Sequence, residues 1–93
     1  MKATVAGLVT PHLLRVVDLA NDAEKGVNVD WHLRDSVSRT LNDLGQQFNA
    51  STLVAAYVEG LENVAAQAGK NRAAYARALQ VAVDAARMRG EQR

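Results

Sequence analysis

The stretch Ser51–Gly69, STLVAAYVEGLENVAAQAG, constrains this chain more than any other, because on a helix it is apolar on nearly every side. Leu53, Val54, Tyr57, Val58, Leu61, Val64 and Ala65 recur at helical spacing, and only Thr52, Glu59, Glu62, Asn63 and Gln67 break the pattern. A helix of this kind needs neighbours around it, which predicts that it lies in the middle of a bundle. Ala56 and Gly60, one turn apart, mark where another helix can approach closely, and the alanine-rich last segment is the expected neighbour.

The flanking segments supply the rest of the bundle. Thr10 followed by Pro11 signals a helix start, a hydroxyl N-cap with proline at the first helical position. That helix is expected to run to about Lys25 and stop at Gly26, with Leu13, Val16, Val17, Ala20 and Ala23 as its buried stripe. Residues 1–9 then form an arm or short helix. Asn28 or Asp30 can cap a second helix, on which Leu33, Val37, Leu41, Leu44 and Phe48 recur at spacings of four, four, three and four, with the helix ending near Gly45. Asn49 or Ser51 can cap the third helix and Asn71 the fourth, which runs to about Arg89 and ends at Gly90 with residues 91–93 as a frayed tail. The expectation is an all-α, single-domain helical bundle of about four helices with a short N-terminal arm.

Composition bounds what such a bundle can be. Ninety-three residues suffice for one modest core. With aromatics at 4% and alanine abundant, burial yields less per residue, so close approach between helices must partly replace bulk. The absence of cysteine excludes disulfides and thiolate metal sites. No apolar run approaches the roughly 20 residues that span a bilayer, and the first nine residues are not expected to act as a secretory signal. A cytoplasmic protein without a membrane segment is expected.

Catalytic patterns are weak. His12 and His32 fall on different helices, and neither has a partner at metal-ligand spacing. Asp35 points away from His32 and Ser36 on the helical wheel, so the three do not form a nucleophilic triad. Asp18 and Asp22 are one turn apart on a wet face, and no glycine-rich phosphate loop is present. Asp35-Ser36-Val37 resembles the attachment tripeptide of acyl carrier proteins. Those carriers place the serine at a helix start, whereas the Leu33, Val37, Leu41 stripe puts Ser36 inside a helix, as a solvated position. No enzyme activity and no cofactor are expected.

Charge is uneven along the chain. From residue 70 onward six basic residues face two acidic ones, giving +4, while the first sixty-nine residues carry −3. Lys70, Arg72, Arg77, Arg87 and Arg89 are the candidate basic surface for nucleic acid, although on a helical wheel they scatter and form no stripe. Two stretches that invite a helix-turn-helix reading fail it, since no Lys or Arg lies between Arg39 and Lys70, and Ser36 follows Gly26 too closely for a supporting helix.

A binding surface is the remaining reading. On the last helix Tyr75, Leu79, Ala82, Val83 and Ala86 form one stripe, expected to pack on the helix at 51–69. Ala74, Ala78, Val81, Ala85 and Met88 form a second, coiled-coil-like stripe for another chain, against the plainer reading of one wide buried face. Trp31, off the stripe of its own helix, is either a partner anchor or tucked under a neighbouring helix. The preferred function is therefore a non-enzymatic protein-interaction module or small regulatory protein that presents a helix face to a protein partner, with a homodimer as one form. The alternative is a nucleic-acid-associated regulator using the basic last helix. Usage of Ala, Val and Arg suits an accessory protein of a high-GC bacterium or its phage.

Overall fold

The computed structural model describes residues 4–69 and 71–91, the last three by backbone alone. Four helices account for most of them: α1 (Val5–Glu24), α2 (Asp30–Gly45), α3 (Ala50–Gln67) and α4 (Ala73–Glu91). There is no strand among the described residues. Of the expected arm only residues 1–3 lie outside the described part, and so do residues 92–93 of the expected tail.

The first helix begins earlier than Thr10-Pro11 predicts. Thr4 is the N-cap, and its Oγ1 accepts from the Gly7 N–H at 2.9 Å, so 5–9 forms the opening turns of α1 rather than an arm. Pro11 consequently sits inside the helix. Its missing N–H leaves the Gly7 carbonyl without an intrahelical donor, but Gly7 and Pro11 are both exposed, so water can serve that carbonyl. The other end of α1 follows the sequence closely. Gly26 adopts φ +90°, and the N–H groups of Gly26 and Val27 donate to the Ala23 and Asp22 carbonyls. This is the paired-bond helix stop in which only glycine takes the left-handed position without strain. Asn28 Oδ1 then accepts from the Asp30 N–H, with Val29 as the residue before α2. Asn49 precedes α3 without a side-chain cap bond. Arg72, not Asn71, is the residue from which α4 starts, its carbonyl accepting from the Ala76 N–H.

A single core cluster joins all four helices, with Val16, Leu33, Leu53, Tyr57, Leu61 and Leu79 among its most enclosed side chains. The helix at its centre is α4 and not α3. It packs extensively against each of the other three, and Tyr75, Ala78, Leu79, Ala82, Val83 and Ala86 are all buried. The reason is side-chain size. Ala78, Ala82 and Ala86 make a ridge of small residues four apart, and helix separation is set by the side chains at the contact, so α4 can close on several neighbours. On α3 only Leu53, Tyr57 and Leu61 are fully buried, while Val54, Val58 and Val64 sit half-buried on its flanks.

Gly60 marks a close approach, but of α1. A Cβ at Gly60 would lie 2.6 Å from Leu13 Cδ1, so the missing side chain makes room for Leu13 rather than for the alanines of α4. Phe48, expected at the end of the α2 stripe, is wholly exposed because α2 stops at Gly45, and the helical register of Leu33 to Leu44 does not extend into the link.

Candidate functional site

Facing sides of α1 and α2 build a polar groove. On α1, His12, Arg15 and Leu19 recur on one side of the helix. On α2, His32, Asp35, Ser36, Arg39, Thr40 and Asp43 form a polar stripe beside the apolar one of Leu33, Val37, Leu41 and Leu44. The connection at 25–29 turns the chain back so that the two helices run antiparallel, with His12 level with Thr40. Although consecutive, α1 and α2 pack the least closely of all helix pairs, because long polar side chains line the space between them. That space measures about 290 Å³.

The floor of the groove is where the chemistry concentrates. Ser36 and Thr40 are buried, which corrects the expectation of a solvated Ser36: the residue is inside a helix, but on the side that turns toward α1. Thr40 Oγ1 lies 3.4 Å from His12 Nδ1, a long contact. The His12 ring meets Tyr57 of α3 edge-on, with centroids 6.4 Å apart. Tyr57 is fully buried, and its Oη has no hydrogen-bond partner. Burial pushes this hydroxyl up to about 12, against a smaller downward pull from the neighbouring Thr40 hydroxyl, which is close to Tyr57 but not in bonding geometry with it.

Asp35 does not point away from His32 and Ser36: positions i, i+3 and i+4 share a helix face, all three line the groove, and Asp35 accepts there from Arg39 Nε at 3.0 Å, one turn away. Asp35 is thus engaged by a cation, and His32 instead meets Trp31 edge-on at 5.2 Å. Neither histidine contacts a carboxylate among the described residues. No group of three or more His, Asp or Glu among them is arranged to hold a metal ion. That both histidines line one groove is legible in the spacing 12, 15, 19 and 32, 36, 39, 43. The apolar stripes of the two helices do not carry that signal, because they mark which face is covered and not what lies beside it.

The candidate basic surface on α4 turns out to be spread over three neighbours. Arg72 donates to Glu24 and Asn21 of α1 and lies over the Tyr75 ring, 3.7 Å from its centroid. Its hydrogen bond holds the Glu24 carboxyl below the usual range, and the same bond raises Arg72. Arg77 pairs with Asp30 of α2 at 3.8 Å, and Arg87 with Glu62 of α3 at 3.3 Å. These arginines therefore reach toward three different helices and do not share one face. Lys70 and the Arg89 side chain lie outside the described part.

The second α4 stripe is divided. Ala78 is buried, Val81 and Ala85 are half-buried, and Ala74 and Met88 are exposed. Trp31 is 67% exposed, so it is not tucked under a neighbouring helix. It stands in the first turn of α2, on the side away from the Leu33 and Val37 stripe. No helix among the described residues is long and apolar enough to cross a membrane. No protein-family model matches the chain, and no curated protein or solved structure is significantly similar to it.

Proposed function

We propose that this protein is a non-enzymatic interaction module that offers apolar side chains to a protein partner. One observation supports the reading: the only tryptophan and the only phenylalanine of the chain, Trp31 and Phe48, both stand in solvent. In a core short of bulk, burying a side chain such as phenylalanine would contribute about 1.5–3 kcal/mol. Leaving both outside forgoes that contribution to folding and keeps the two largest apolar groups for another surface, where tryptophan is enriched among the residues that dominate binding. The exposed part of the second α4 stripe, Ala74 and Met88 with the half-buried Val81 and Ala85, offers a further apolar strip on which a homodimer would pack.

Photo-crosslinking in the source cell tests the reading. A crosslinker placed at residue 31 or 48 should capture one discrete protein species, and the same group at exposed Asn63 should not. Equal capture at all three positions, or none at 31 and 48, sinks it. Sedimentation over a concentration series, for the wild type and Val81→Glu, identifies the homodimer version: a mass that rises with concentration in the wild type alone would make the partner a second copy.

A further inference from the structure

Beyond the interaction reading, and independently of it, we infer that the groove between α1 and α2 is a binding site for a small oxyanion, the carboxylate or phosphate group of a metabolite-sized ligand. The first ground is unmet hydrogen-bonding capacity at the floor. Ser36 is buried, yet its hydroxyl bonds to nothing among the described residues, although a serine inside a helix ordinarily turns back to the carbonyl four residues earlier. Thr40 has the long contact to His12 and the neighbouring Tyr57 hydroxyl, which lies beneath the groove and does not line it. The Ser36 and Thr40 hydroxyls therefore open onto the groove with bonding capacity to spare, which an occupant of the groove can take up.

The second ground is the charge that faces the same space. Arg39 is taken by Asp35, whereas Arg15 makes no hydrogen bond or ion pair among the described residues. A guanidinium beside hydroxyl donors and two imidazoles matches an acceptor-rich group, which arginine can hold through two parallel bonds. Asp43 is the one lining group that opposes an anion without a cation of its own. At about 290 Å³ the cavity stands at the small end of ligand pockets, which fits a compact molecule.

Titration of the protein with inorganic phosphate and, separately, with acetate, followed by amide chemical shifts at constant ionic strength and pH, tests the inference. Saturable shifts centred on His12 to Val16 and Ser36 to Thr40 are expected with at least one of the two probes, and which probe saturates tells phosphate from carboxylate. Arg15→Gln should weaken binding about tenfold or more, and Asp43→Asn should strengthen it severalfold. Both residues are exposed, and an unchanged helical spectrum checks that each variant is folded. Shifts that stay linear with both probes, or an Arg15→Gln protein that titrates like the wild type, overturn the assignment.

Discussion

Replacing Tyr57 by phenylalanine removes the one buried side-chain polar atom that lacks a partner among the described residues, and the sign of the effect is decided by that fact. A hydroxyl buried without a hydrogen bond costs about 1–3 kcal/mol. Deleting it leaves a void the size of one oxygen, which gives back a fraction of that gain. Tyr57→Phe is therefore expected to be neutral or stabilising at pH 7, by up to about 2 kcal/mol, or several degrees in Tm for a chain of this size, where each 1 kcal/mol is worth about 4–8 °C. The alkaline limb sharpens the test. Tyrosine ionises near 10.0 in the unfolded chain and near 12 when buried here. Between those values the unfolded state loses its proton first, so stability falls as pH rises. The contribution is complete below pH 10 and is lost through pH 12. Losing that difference costs about 2–3 kcal/mol. Urea unfolding of both proteins from pH 7 to 12 should show the phenylalanine variant gaining on the wild type by about 2–3 kcal/mol across that window. A variant destabilised by more than about 1 kcal/mol at pH 7 would mean that the hydroxyl is bonded after all, and parallel curves above pH 9 would remove the buried-phenol argument.

Substitutions at three further positions test the packing. Gly60→Leu should destabilise by about 1–3 kcal/mol, because its Cβ already meets Leu13 at 2.6 Å. Gly60→Ala should be near neutral in the wild type, its helix gain offset by displacing the Leu13 tip, but stabilising by about 1 kcal/mol once Leu13→Ala has opened the space; equal effects in both backgrounds would place Gly60 elsewhere. Pro11→Ala should stabilise by about 1–3 kcal/mol in urea unfolding, since it restores the bond to the Gly7 carbonyl, and a loss of stability would mean that α1 does not run through Pro11. Arg72→Gln should lower Tm through the lost contacts to Glu24, Asn21 and Tyr75, with a smaller difference in high salt. Because the Glu24 pKa is depressed, the ion-pair part of that difference is present above the unfolded value of 4.5 and should fade as pH falls through the folded one; a difference independent of both salt and pH would assign the loss to packing alone.

Local patterns carried most of the secondary structure. The three-and-four spacing of Leu33, Val37, Leu41 and Leu44 fixed α2 and its inward face, and Gly26 fixed the end of α1, because helix period and left-handed backbone are properties of a few adjacent residues. The same rules fail where solvent exposure or a helix end intervenes. Proline at Pro11 looked like a helix start, but a solvent-facing position tolerates the lost bond, and the earlier cap at Thr4 decided the boundary. Phe48 looked like the next member of a stripe, yet the stripe outran the helix that would have carried it.

What the sequence determined by itself is the helical content, the apolar faces and the absence of thiol chemistry, all of which depend on residue identity and short-range spacing. Only the tertiary structure decided which helix is central, what Gly60 accommodates, that Trp31 is exposed, and that His12, Arg15, His32, Ser36 and Thr40 line one groove. The apolar stretch at 51–69 predicts the middle position for α3, and the alanine ridge of α4 takes it instead. A periodicity says that a face must be covered, but the distance at which another helix can cover it depends on the volumes of both partners, and a chain read one helix at a time does not contain that pairing.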